Sequence, residues 1–280
     1  MTGIIDVGGG VRGIYGAGVF DYLMEQGISF DECIGISAGA ANISAYLAHQ
    51  IGRNYRFYTE YMFRKEYMGW EHFLHTKSYI NLDYIYSTLS NSDGEDPLDY
   101  ETLAASPSIF KIIAADAETG KPVYFEKNRD LKKDQYAVIK ASCCVPVVDQ
   151  PYPVGDRKYY DGGIADPIPV EKAFADGCDR VVVVLTRPKD YFRDGRKDRR
   201  MARLIRHTYP VASRAVAGRS RLYNTQLALA RKYEEEGKVL IVAPDDISGI
   251  STLTRNLAVI RGLYTKGHRD AAAIPAFLRS

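Results

Sequence analysis

At 280 residues, with 46% hydrophobic and 26% charged side chains, the chain has the make-up of an ordinary globular protein. A chain of this length buries roughly three-quarters of its unfolded surface and needs no disulfide staples. Its formal net charge of +2 argues against a nucleic-acid partner met through a basic face.

No stretch approaches the ~18 uninterrupted apolar residues of a membrane span, and the first residues have neither a basic nor a long apolar segment. The expected location is cytoplasmic, with peripheral membrane contact as an extension of it. The four cysteines (Cys33, Cys143, Cys144, Cys178) have no C-x-x-C spacing, so they read as reduced core residues.

Residues 3–7 form a short apolar run, expected as a strand. It meets the loop Gly8-Gly9-Gly10-Val11-Arg12-Gly13 and then a helical pattern over 14–26, apolar along Val19 and Leu23 and stopped by Gly27. A second strand near 33–36 runs into Gly35-Ile36-Ser37-Ala38-Gly39 and a small-residue helical stretch, 40–48. Apolar runs without alternation indicate strands covered on both faces, as in a mostly parallel sheet.

Residues 55–86 are crowded with aromatics, which suit either plain helix core or a cap over an acyl-binding pocket. Further strands are expected at 110–116, 122–125, 180–186 and 238–243, the third carrying four consecutive valines. The basic segment 187–206, interleaved with Asp190, Asp194 and Asp198, reads as a solvated loop and helix, with contact to anionic lipid as the alternative. Helices are expected at 219–236 and 252–270. With no repeat and no long linker, one domain is expected, with core blocks at 3–170 and residues 180–280 completing it.

Three pieces carry chemistry. Gly35-Ile36-Ser37-Ala38-Gly39 fits G-x-S-x-G, in which a serine on a tight strand-to-helix turn exposes its hydroxyl at a helix N-terminus. Alone, the pattern fits a structural turn as well as a nucleophile. The glycine loop also fits G-x-G-x-x-G, but the acidic residue that a dinucleotide site wants after the second strand is missing. An oxyanion hole is the better reading of it. In Tyr159-Tyr160-Asp161-Gly162-Gly163, Asp161 lies 124 residues beyond the serine, and Asp-Gly-Gly by itself is most simply a turn.

In their order, Gly8-Gly9-Gly10-Val11-Arg12-Gly13, Gly35-Ile36-Ser37-Ala38-Gly39, Ala141-Ser142-Cys143-Cys144-Val145-Pro146 and Asp161-Gly162-Gly163 resemble the motifs of the patatin-like phospholipases. The resemblance covers about the first 165 residues and continues more loosely beyond. It implies a three-layer α/β/α sandwich around a mostly parallel sheet, and hydrolysis of acyl esters in lipids by a Ser–Asp dyad without histidine. Mapped onto this chain, Ser37 is the nucleophile and Asp161 its general base. The N–H groups of Gly8, Gly9, Gly10 and Ala38 are the oxyanion donors.

Gly35 and Gly39 form the elbow, and Gly162 and Gly163 the turn behind the carboxylate. Many family members carry Glu before the glycine triplet, where this chain has Val7, with Asp6 one place earlier. Arg12 has two readings: a head-group contact, or a salt bridge that fixes the loop. No metal or cofactor is expected, and the partner is a lipid or ester substrate. The alternatives are a triad using His207 or His268, a nucleotide-binding oxidoreductase built on the first glycine loop, and a non-catalytic lipid-binding protein.

Overall fold

The computed structural model describes residues 1–247 and 249–279. Strands β1 (Thr2–Asp6), β2 (Glu32–Ile36), β3 (Ile109–Asp116), β4 (Pro122–Glu126), β5 (Tyr152–Val154), β6 (Arg157–Asp161), β7 (Arg180–Val184) and β8 (Val239–Val242) form one sheet. Its order is β5-β6-β3-β2-β1-β7-β8, with β4 paired to β3. The five strands from β3 to β8 along that path run parallel, while β4, β5 and β6 are antiparallel to their neighbours.

The unbroken apolar runs explain why the parallel strands lie in the middle. Ile4, Cys33, Phe110 and Val182 are in register and project into one core. Their neighbours Ile5, Ile34 and Val183 project into a second core on the other face. Two cores on one sheet require helices on both sides, which is the expected three-layer sandwich.

The helices that matter for the site are α1 (Ile14–Glu25), α2 (Ala38–Leu47), α3 (Arg53–Thr59), α4 (Ala137–Cys143), α5 (Pro210–Glu235) and α6 (Leu257–Asp270). Helices α1, α2 and α6 cover the first face. Tyr223, Leu227 and Ala230 of α5 cover the second. Among the described residues no helix is long and apolar enough to cross a membrane.

Three elements differ from the sequence reading. Residues 157–161 form a strand that was not expected, with Tyr159 and Asp161 paired to Asp116 and Ala114, and the expected Asp-Gly-Gly turn follows it as Gly162–Ile164. Helix α5 begins nine residues earlier than expected, with Pro210 in its first turn, where a missing N–H costs nothing. The last long helix begins at Leu257 rather than 252, because the Asn256 side chain accepts from the N–H groups of Ala258 and Val259 and caps it.

Helix α6 crosses α1 at very short range. A Cβ at Gly267 would sit 2.0 Å from the Tyr15 carbonyl oxygen, and one at Gly18 would sit 2.2 Å from that of Tyr264. Two glycines, one on each helix, therefore set the crossing. Gly267→Ala is expected to cost about 1–3 kcal/mol through overpacking. Gly262→Ala, on the same helix with nothing within 4 Å of its Cβ, should be neutral or stabilise by up to ~1 kcal/mol. Urea midpoints for the two variants check the contrast.

Candidate active site

Ser37 sits between β2 and α2 with φ 56° and ψ −131°, a conformation that costs a non-glycine residue on the order of 1–3 kcal/mol. The surroundings hold it there. Its N–H donates to Ser142 Oγ at 2.8 Å, and the Ser142 hydroxyl donates to the Ile113 carbonyl at 2.6 Å. A Cβ at Gly39 would lie 2.1 Å from the Asp6 carbonyl oxygen, and one at Gly35 would lie 2.5 Å from Ala40 Cα. The turn therefore tolerates only glycine at both flanks, as the motif leads one to expect.

The sheet register brings Asp161 to this serine. β3 pairs with β2 up to Ile36↔Ile113, and β6 takes over the pairing at the next residue, Ala114↔Asp161. The end of one strand is thus laid beside the end of the other across a gap of 124 residues in sequence. The Asp161 carboxylate is buried and accepts the Gly163 N–H at 2.8 Å. Burial raises its pKa, against the opposing pull of the Arg219 guanidinium and a hydrogen bond from the Ser37 hydroxyl. Arg219 donates from Nε to the Gly163 carbonyl at 2.7 Å, so the turn Gly162–Ile164 is clamped between a carboxylate and a cation.

The glycine loop lies against the elbow. Gly8, Gly9 and Gly10 all have positive φ. Among the described residues the N–H groups of Gly9, Gly10 and Ala38 have no protein acceptor. Gly8 is a correction to the expected donor set: its N–H donates to Asp6 Oδ1 at 2.9 Å and faces away from incoming charge. Asp6 is fully buried, also accepts from Asn42 Nδ2 at 2.8 Å, and is pushed up to about 6 by burial. The Gly8 carbonyl is held in turn by the Thr186 hydroxyl.

Arg12 is buried, with its Nε lacking a hydrogen-bond partner among the described residues. It forms no ion pair there, which overturns the salt-bridge reading of this residue.

A cavity opens from Ser37, walled by Phe57, Tyr58, Tyr67, Ile85, Tyr86 and Leu89. The aromatic segment is thus core and pocket wall at once. Cys143, read as a core cysteine, lines the cavity too, with its sulfur 3.3 Å from the Tyr86 hydroxyl. Burial pushes its thiol up to about 12, so it stays protonated and does not rival Ser37 as a nucleophile. Asp149, close enough to Asp161 to feel its charge, is raised to about 7 by burial.

The histidines lie elsewhere. His207 is exposed and accepts from Arg206, while His268 bonds Glu25 at 2.8 Å. The signals missed in the sequence are Ser142, which the motif contained but whose role it did not reveal, and Arg219, which has no local pattern at all.

A serine on a strained strand-to-helix turn thus stands beside a buried aspartate and free backbone N–H groups in a three-layer α/β/α frame. The chain belongs to the patatin-like phospholipase family, whose model matches residues 7–174. At family level, membership supports lipid-ester hydrolysis. Residues 209–277 also match a domain family of unknown function.

The chain is 31% identical over 203 residues to the uncharacterized protein YjjU of Escherichia coli K12. The match takes in 71% of this chain and 55% of that protein, so it spans about half the length of the relative. The crystal structure of VipD from Legionella pneumophila superposes with TM-score 0.55 at 12% identity, over 98% of this chain and 66% of that one. It is a likeness of fold.

Asp6 and Asp149 hold protons more tightly folded than unfolded, where a carboxyl titrates near ~3.9. Protonation therefore favours the native state, and that advantage is lost as pH rises from ~4 through about 6 and about 7. The urea midpoint should be higher at pH 5 than at pH 8; an equal or lower midpoint at pH 5 would contradict the burial of these groups. Ser142→Ala leaves the Ser37 N–H and the Ile113 carbonyl unpartnered and should cost about 1–3 kcal/mol in the same assay.

Proposed function

We propose that the chain hydrolyses carboxylic esters of lipids through an acyl-enzyme on Ser37, with Asp161 as the only base. The observation that supports this reading is the handover of pairing on β3 from Ile36 to Asp161, which lays the ends of β2 and β6 side by side, with Ser37 following one and the buried Asp161 ending the other. In acylation, Ser37 Oγ attacks the ester carbonyl as Asp161 takes its proton. The oxyanion forms at the N–H groups of Gly9, Gly10 and Ala38. The C–O bond to the alcohol then breaks, and Asp161 returns the proton to the leaving oxygen. Water repeats the sequence on the acyl-enzyme, releasing the fatty acid and restoring the serine.

An ordinary aspartate is a feeble base for an alcohol, so much of the rate has to come from the oxyanion donors, each worth ~3 kcal/mol. Burial of Asp161 brings its basicity closer to the working pH. The apolar cavity suits an acyl chain lying away from the carbonyl. Residues 1–280 act as one unit in this reading, since β7 and β8 extend the sheet that β1 and β2 begin. Trp70 and Leu74, 71% and 69% exposed in the segment that also walls the cavity, suit an edge that meets a lipid surface from the cytoplasm.

Ser37→Ala and Asp161→Asn should each lower kcat/KM on a short-chain p-nitrophenyl ester by at least ~10³, with the fold retained. A fluorophosphonate label should map to Ser37; wild-type turnover in either variant sinks the assignment. Because the base works ionised and burial raises its pKa, kcat/KM should climb with pH through an inflection above the ordinary carboxyl value of ~4.

A further inference from the structure

Four arginines converge on the side of the site where β7 ends. Arg12 stands beside Gly9: a Cβ there would lie 3.4 Å from Arg12 Nη2 and 2.6 Å from Thr186 Oγ1. Thr186 leads directly to Arg187, whose guanidinium stacks 4.1 Å from the centre of the Tyr191 ring. Tyr191 packs edge-on against Tyr223 of α5, and Arg219 lies one turn before Tyr223 on that helix. Arg193 is tied to the same helix through its backbone N–H and carbonyl, both bonded to the Asn224 side chain.

The segment 187–206 is solvated over most of its length, as expected, but Arg187, Tyr191, Arg193 and Asp198 turn inward. Among the described residues, two carboxylates face these four cations. Asp198, 1% exposed, is taken by Arg193 in a bidentate pair of 2.7 and 2.8 Å, and Asp161 faces Arg219. Arg12 and Arg187 have no ion pair among the described residues, although Arg12 is 6% exposed. Burial, then the charge of Arg187, pushes Arg12 down to about 10. Buried cations left unpaired are costly, and planar guanidiniums are suited to bidentate contact with oxyanions.

We propose that Arg12 and Arg187, backed by Arg193 and Arg219, bind a phosphate group beside the reacting ester. Three of the four lie beyond residue 174, where the patatin-like match ends, and Arg219 lies inside the segment of unknown function. That segment thus contributes to substrate selection. The proposal rests on Ser37 being the nucleophile only for its kinetic arm. The phosphate is either the head group of a lysophospholipid or free phosphate that regulates turnover, and the two are separable.

Binding of inorganic phosphate to the Ser37→Ala protein, followed by calorimetry, should occur in the millimolar range or tighter and weaken at least tenfold in Ser37→Ala/Arg187→Gln. In the protein with Ser37 intact, Arg187→Gln should lower the ratio of kcat/KM for a lysophospholipid to that for a neutral p-nitrophenyl ester by about ten- to a hundredfold, through KM. Arg187→Lys should restore part of it, and Arg221→Gln, an exposed change on α5, should alter neither readout. A changed ratio supports the head-group source, whereas weakened phosphate binding with an unchanged ratio supports free phosphate. No phosphate binding together with an unchanged ratio overturns the proposal. Hydrolysis that survived Ser37→Ala would instead refute the nucleophile and leave the calorimetric test standing.

Discussion

Everything around the site hangs on the last residue of β1. Asp6 is buried completely, and its carboxylate accepts from the Gly8 N–H on one oxygen and from Asn42 on the other. Its own carbonyl oxygen lies where any side chain at Gly39 would have to be. One residue thereby joins the glycine loop, the serine turn and α2. Asn42 adds a bond to the Gly13 carbonyl, closing the ring onto the start of α1. A carboxyl at such a depth is tolerated because both oxygens have donors and because, at about 6, it sheds its charge readily. The Glu that many family members place before the glycines is absent, and Asp6 holds the loop from one position earlier.

The same economy explains Ser37. A positive φ in a serine survives only if its neighbours leave no alternative. Here Ser142 fixes the amide, and Gly35 and Gly39 leave no space for relaxation. The sheet register lays this strained turn beside the end of another strand, where the buried Asp161 has its pKa raised by burial against the pull of Arg219 and Arg193.

How much of this was legible in the sequence follows from how local each feature is. The elbow and the glycine loop were readable because their backbone demands are met by glycines within a few residues of the serine. Asp161 was readable as a residue but not as a strand end, because Asp-Gly-Gly carries turn signals and the pairing that makes it a strand is with Asp116 and Ala114, far away in the chain. Gly8 was assigned as a donor since all three glycines look alike in sequence; only the partner on Asp6 tells them apart. The early start of α5 was hidden by Pro210, which reads as a breaker until it is seen to occupy the first turn. The arginines around Tyr191 and Tyr223 were illegible, since charge interleaved along a segment says nothing about which members fold inward.

The contact between Val11 and Thr252 has a temporal meaning. The Val11 N–H donates to the Thr252 carbonyl at 3.1 Å, and a Cβ at Gly10 would collide with that same oxygen. The loop that faces the serine is therefore finished by a residue made some 240 positions after it. Domains assemble from the N-terminus as they emerge, so β1, β2 and the elbow exist well before their last brace. A nascent chain that has made Ser37 and Asp161 still lacks the carbonyl that holds the Val11 N–H. The order in which the chain emerges thus separates the elbow from the brace that completes its neighbouring loop.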